Sequence, residues 1–273
     1  MSYIYRHRTK DGFVYKNHKP NDLERINKLK IPPVWKDVKI DKNPNSNIQA
    51  TGIDSKGRKQ YIYNKEFVEK SKANKFKKLD KFDYSKYSRV IKNDILKKDL
   101  SRNCIIANII KLMEDLNIRV GNESYKKENG SYGITTLLKK HLKGNKLEFV
   151  GKKGINHIKY ITNPVSIEFI KRVNKLKGPN LFYFDNGSTV YSNDLNNYLK
   201  EKVQNNVTCK DIRTYCANKI FLNYMNKLKL SKNEKDRKKQ LNEGIDHTAN
   251  ELGNTRKICK ESYLCPKNLN KFI

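Results

Sequence analysis

Lysine and arginine number 59 against 28 aspartates and glutamates in 273 residues, a net charge of +31. An excess of that size speaks against an anionic or neutral role and for a polyanionic partner, nucleic acid first and an anionic membrane surface second, bound in a salt-dependent way. No apolar run approaches the ~20 residues needed to span a bilayer, residues 1–8 hold no uninterrupted signal-peptide core, and Cys104, Cys209, Cys216, Cys259 and Cys265 lack metal-ligand spacing and read as free intracellular thiols.

In chain order, the first 70 residues read as mostly β. Ile31-Pro32-Pro33-Val34-Trp35 cannot be a helix interior, because proline lacks the N–H and clashes with the preceding turn. Asp54 to Tyr63 reads as a turn at Lys56-Gly57 followed by a strand. Period-two alternation puts Tyr61 and Tyr63 on one face and Arg58 and Gln60 on the other. Residues 69–82, rich in lysine and without apolar period, read as a basic linker.

After the linker the period becomes helical at Ile105, Ile106, Ile109, Ile110, Met113 and Leu116. Gly121 is a fitting stop for that helix and would leave Arg119 in its last turn. Leu147 to Gly151 and Ile155 to Thr162 read as two strands around a turn at Lys152-Lys153-Gly154. A second helix is expected over roughly 209–228, burying Ile212, Cys216, Ile220, Tyr224 and Leu228. Residues 231–240, dense in Lys and Arg, read as an exposed loop or a solvated helix face, and Gly253 as the end of a helix beginning near Glu243. The expected fold is α+β: a small N-terminal β domain over 1–70, then a larger, mainly α-helical domain over 71–273 carrying a β-hairpin. Two such domains on a flexible basic connection suit closure around a rod-like polyanion.

Several segments could carry chemistry. Arg119 either caps helix-end carbonyls or holds an anion. Lys152, on a hairpin turn, is either solvated or a proton donor, a role that nearby arginines would favour by lowering its pKa. Lys210 and Arg213 are three apart and share a helix face, either an ordinary basic surface or a pair gripping one phosphate. Asn254 follows the glycine stop, where its amide could donate to a phosphate oxygen. Tyr263 is either one packed tyrosine among 16 or a nucleophile, a role for which its phenol, with a reference pKa near ~10, needs cationic company. Together these residues make a metal-free kit for phosphoryl transfer. Fixed cations stabilise charge on the equatorial oxygens of the transition state, and one proton reaches the leaving alkoxide.

These segments, in this order, resemble the type IB DNA topoisomerases in the short form of poxviruses, giant DNA viruses and some bacteria. The resemblance covers most of the chain. It rests on Ile31-Pro32-Pro33-Val34-Trp35, Gln49-Ala50-Thr51-Gly52, Asp54 to Tyr61, Arg119-Val120-Gly121-Asn122-Glu123, Gly130 to Leu137, Phe149-Val150-Gly151-Lys152, Lys210 to Tyr215, and Leu252 to Tyr263. It implies that the second domain is the catalytic one, with the fold shared by tyrosine recombinases and these topoisomerases. Tyr263 would attack a DNA phosphodiester to form a 3′-phosphotyrosyl link. Arg119 and Arg213 would hold the phosphate, Lys152 would protonate the departing 5′-oxygen, and Lys210 would be a further active-site lysine. Lys153 is adjacent, and the family's Gly-Lys pair favours Lys152.

Asn254 departs from the histidine usual in poxvirus and cellular members, though asparagine occurs in some viral and bacterial ones. Lys56, Arg58, Gln60, Tyr61 and Tyr63 match the strand that short members lay in the major groove, and Tyr125 matches a DNA-contacting position. Asn122 stands where poxvirus members carry lysine, so their sequence preference does not transfer. The resemblance implies no cofactor, metal or ATP, double-stranded DNA as the partner, no membrane, and a monomer that clamps the duplex. It implies an intracellular location: a virion, the viral factory of a large DNA virus, or a host nucleus. The alternatives are a tyrosine site-specific recombinase, which usually carries His-x-x-Arg in place of Lys210-x-x-Arg213, and a non-enzymatic basic DNA-packaging protein.

Overall fold

The computed structural model describes residues 2–273; Met1 lies outside the described residues. The chain divides into two compact units, Met1–Lys77 and Lys78–Ile273.

The first unit is a five-stranded antiparallel sheet in the order β2-β1-β3-β4-β5. Its strands are β1 (Tyr3–Thr9), β2 (Gly12–Lys16), β3 (Lys36–Asp41), β4 (Ile48–Ile53) and β5 (Lys59–Tyr63), with helix α1 (Asp22–Lys28) between β2 and β3. Alternation along β1, β3 and β4 sends Ile4, Val38, Ile40 and Ala50 inward, where Ile26 of α1 meets them. The Ile31–Trp35 stretch is irregular, as its prolines require, and is tied down by buried Arg6, whose guanidinium donates to the carbonyls of Ile31, Pro32 and Trp35.

Helix α2 (Lys65–Asp80) follows. The expected linker over 69–82 is therefore mostly helical, because its Lys, Glu, Ala and Leu are good helix formers even without an apolar stripe. Phe76 is its buried residue, too little to print a period on the sequence.

The second unit holds α3 (Tyr84–Leu96), α4 (Arg102–Asp115), α5 (Glu123–Asn129), the strands β6 (Leu142–Lys143), β7 (Lys146–Val150) and β8 (Asn156–Tyr160), then α6 (Pro164–Val173), α7 (Ser192–Tyr198), α8 (Cys209–Met225), α9 (Glu234–Leu252), α10 (Arg256–Ser262) and α11 (Pro266–Asn270). Helix α4 is the isoleucine-rich helix and is buried along most of its length. It stops before Gly121: Asn117 takes the left-handed conformation at φ 52, one that asparagine tolerates, and Ile118 N–H returns to Met113 O at 3.2 Å. Arg119 thus lies past the helix, in a segment without regular secondary structure, and not in its last turn.

Helix α9 begins at Glu234, well before Glu243, with Asn233 accepting from the N–H groups of Lys235 and Asp236. The true N-cap sits inside the cationic stretch over 231–240, which from Glu234 onward is the solvated helix face and not the loop. Helix α8 buries Ile212 and Cys216; Phe221 and Met225 are its other large core residues, while Tyr224 and Leu228 pack half-buried against that core and Ile220 is half-buried. No helix of the described residues is long and apolar enough to cross a membrane.

Candidate active site

Four elements of the second unit bring the key side chains together. Arg213 lies one turn into α8, and is buried at 5% exposure. Of the two readings left open for the pair, an ordinary exposed basic face does not describe it: Lys210 is exposed and Arg213 is not. The guanidinium donates to the carbonyls of Asn117 and Leu252, which close the C-terminal ends of α4 and α9. Two of its five N–H groups are thereby fixed, and Nε is buried without a hydrogen-bond partner. Its Cζ lies 5.5 Å from the centre of the Tyr263 ring.

Arg119 donates to Asn254 Oδ1. An arginine only donates, so this bond fixes the amide's orientation and leaves Asn254 Nδ2 buried with no partner. Asn254 is set by the end of α9. Gly253 is left-handed at φ 59, and Asn254 N–H bonds back to Ala249 O at 2.8 Å, the Schellman closure that glycine permits. Arg119 is set from the other side. Its carbonyl accepts from Ile134 N–H at 2.8 Å, and Gly133 packs against the Gly121 backbone.

Tyr263 caps the C-terminus of α10 and is half-buried against the apolar cluster of α8, α9 and α11. Burial pushes its phenol up, but Arg213, by charge and hydrogen bond, together with Arg119 and Lys210, outweighs this and holds it below the usual tyrosine value. Lys152 is exposed on the β7–β8 turn, with its ammonium 5.7 Å from the centre of the Tyr125 ring. The next residue, Lys153, is left-handed at φ 66.

The remaining sequence-predicted residues lie in the first unit. Tyr61 and Tyr63 are on edge strand β5, each 43% exposed, and their rings stack at 6.0 Å. The opposite-face pair is gathered by Asp54. Its carboxylate accepts from Arg58 Nε at 2.9 Å and Gln60 Nε2 at 3.0 Å, and from the Lys56 main chain at 2.9 Å. Arg58 and these backbone bonds hold the Asp54 carboxyl down at about 2.

The sequence profile of the eukaryotic DNA topoisomerase I catalytic core matches residues 63–272. The chain belongs to the type IB DNA topoisomerase family. The bacterial DNA topoisomerase IB N-terminal domain matches residues 4–54. The chain is similar to the DNA topoisomerase 1B of Acanthamoeba polyphaga mimivirus, 37% identical over 97% of this chain and 85% of the relative. It is also similar to the DNA topoisomerase 1B of vaccinia virus, 31% identical over 78% of this chain and 68% of the relative, and to the DNA topoisomerase 1 of rabbit fibroma virus, 28% identical over 93% and 85%. The chain is thus a viral-type topoisomerase IB, an isomerase by class, and the recombinase and packaging-protein alternatives fall away.

The supporting roles of four residues of this topoisomerase escape sequence reasoning. Asn218, buried on α8, donates to the Tyr263 carbonyl at 2.8 Å and accepts from Cys265 N–H at 2.8 Å, gripping the main chain just after the tyrosine, on both sides of Leu264. A buried amide five residues after Arg213, amid apolar neighbours, was the available signal. Asp211 caps α8 through Thr208 N–H at 2.9 Å and pairs with Lys78 at 2.6 Å. Asn122, the residue that replaces a poxvirus lysine, caps α5 by accepting from Ser124 N–H at 2.9 Å. His157, on β8, is buried between the hairpin and the end of α9, and no sequence motif marks it.

Proposed function

We propose that this topoisomerase cleaves one strand of duplex DNA through Tyr263, without ATP or metal, lets the free end rotate, and reseals the strand. Tyr263 Oη forms a bond to phosphorus as the bond from phosphorus to the 5′-oxygen breaks. The phenol gives up its proton to water, Lys152 supplies one to the leaving oxygen, and a 3′-phosphotyrosyl link results. Arg213, Arg119 and the Asn254 amide donate to the non-bridging oxygens, where charge is greatest in the transition state. Lys210 adds a further cation at the mouth of the site and shares in proton transfer. One phosphodiester replaces another, so bond energy is conserved and religation is the same path reversed.

The observation that carries this reading is a buried arginine with a spare N–H beside the Tyr263 ring, with an amide whose spare N–H is oriented by Arg119, a second cation whose charge reaches Tyr263. Buried donors left unmade cost free energy, and a phosphate would satisfy both. The experiment is covalent capture. A duplex oligonucleotide carrying a 5′ label on the scissile strand is mixed with protein and denatured. The label should migrate with the protein for wild type and not for Tyr263→Phe. A label carried instead from the 3′ end would reverse the polarity proposed.

Lys56, Arg58, Gln60, Tyr61, Tyr63 and Tyr125 form the proposed DNA-contacting set, with Gln60 and Arg58 suited to base edges and the tyrosines to thymine methyls or phosphates. We propose a monomer whose two units, divided between Lys77 and Lys78, close around the duplex, acting inside the infected cell in a virion, viral factory or nucleus. A solution-scattering profile unchanged by added duplex would count against the clamp.

A further inference from the structure

Among the buried titratable side chains that the catalytic assignments leave unused, His157 stands against two of the turns that carry them. His157 lies on β8 opposite Phe149 of β7, with the two rings stacked at 5.1 Å and 16°. A Cβ on Gly151 would fall 2.6 Å from its Cδ2 and Nε2, and a Cβ on Gly253 would fall 2.4 Å from its Cε1. Both backbones therefore press on the ring. Gly151 immediately precedes Lys152, and Gly253 immediately precedes Asn254.

The conformation of Gly151, φ −95 and ψ −167, is open to any residue. What excludes a side chain there is the imidazole itself. Two residues along β8, Lys159 donates to Glu251 O at 2.9 Å, so the strand is fastened to the end of α9 at a second point. Among the described residues, the ring nitrogens of His157 make no hydrogen bond. Burial, and the charges of Arg119, Lys159 and Arg213 around it, lower its pKa to about 4. An uncharged ring is what three surrounding cations tolerate.

We propose that His157 is a positioning residue whose ring acts as a spacer between the turn that carries Lys152 and the turn that carries Asn254, keeping general acid and phosphate-binding amide in register. This rests on the roles proposed for Lys152 and Asn254. The ring touches neither the substrate nor the reacting atoms; its contribution is bulk. A one-ångström drift of a catalytic group costs on the order of 10²-fold in rate, and loss of the ring allows a drift of that size.

The test is single-turnover cleavage of two duplexes, one natural and one with sulfur in place of the bridging 5′-oxygen. A thiolate leaves without being protonated, so the sulfur substrate is indifferent to where Lys152 stands. His157→Ala should cleave the natural duplex about 10²-fold slower and recover at least tenfold on the sulfur duplex, with DNA affinity unchanged. His157→Phe, which keeps the bulk and loses the nitrogens, should stay within about threefold of wild type on both. Gly151→Ala should be slow on its own, and less slow when combined with His157→Ala, whose cavity accepts the methyl.

Unimpaired cleavage by His157→Ala, an equal loss on both duplexes, or a His157→Phe defect as large as that of alanine would each overturn the spacer. If His157→Ala does not fold, the Gly151→Ala arm decides, by its recovery or lack of it on sulfur. Lys152→Ala is run beside them: if sulfur does not rescue it, the general-acid assignment fails, whatever His157 does.

Discussion

Gly133→Ala isolates one cause of Arg119 placement. Gly133 has φ −140 and ψ −179, extended backbone that alanine adopts freely, so the substitution adds only a methyl. That methyl would sit 2.4 Å from Gly121 N, 2.5 Å from Gly121 Cα and 2.6 Å from Arg119 O. Ordinary contact begins near 3.4 Å, so the two segments must part by about 1 Å (3.4 − 2.4). All three neighbours are main chain, with no flexible end to swing away. Because Arg119 O is also held by Ile134 N–H at 2.8 Å, the displacement passes to the residue whose guanidinium orients Asn254. A shift of that size predicts a loss on the order of 10²-fold in cleavage rate, with overpacking costing roughly 1–3 kcal/mol of stability. Single-turnover formation of the covalent complex measures the first, and denaturant unfolding the second. A folded Gly133→Ala protein that cleaves within threefold of wild type would refute the claim that this backbone contact sets Arg119.

Three further outcomes are expected. Arg213→Lys should cut single-turnover cleavage by about 10²–10³-fold and lower stability by about 2 kcal/mol, because one ammonium cannot serve both the Asn117 and Leu252 carbonyls and still face Tyr263; retention of both properties would show the fork to be dispensable. Asn254→Ala should slow cleavage more than Asn254→His does, since histidine restores a donor; a large gain for Asn254→His, with a new pH dependence near neutrality, would instead mark the amide as a poor substitute. The lowered pKa of His157, from 6.5 to about 4, favours the folded state fully above pH 6.5, and this contribution is lost as pH falls through 4. Between pH 7 and 4 the wild type should lose about 3 kcal/mol more unfolding free energy than His157→Phe, and parallel denaturation curves for the two proteins would contradict that.

How much was legible depended on whether a residue's work is local. The isoleucine period announced α4, the Gly154 turn announced the β7–β8 hairpin, and Tyr61 and Tyr63 announced β5, because each signal lies within a few residues of what it builds. Helix α2 was hidden, since a helix that buries little beyond Phe76 leaves no period. The end of α4 was misplaced because Asn117 took the left-handed turn that a glycine would have advertised. In the site, residue types and their order named Arg119, Lys152, Lys210, Arg213, Asn254 and Tyr263 as candidates. Their partners were not readable. That Arg213 grips two helix ends, that Arg119 orients Asn254, and that Asn218 holds Tyr263 by its main chain are contacts across 39 to 135 positions. Gly133 and His157 matter through a steric fit that no residue type declares.

The central claim is that Tyr263 exchanges one DNA phosphodiester for another using only side chains of this protein. It is tested most directly by incubating wild type and Tyr263→Phe with positively and with negatively supercoiled plasmid, without ATP and with a metal chelator present. Stepwise relaxation of both signs by the wild type, and none by Tyr263→Phe, is the predicted result; relaxation by the phenylalanine protein would contradict the account.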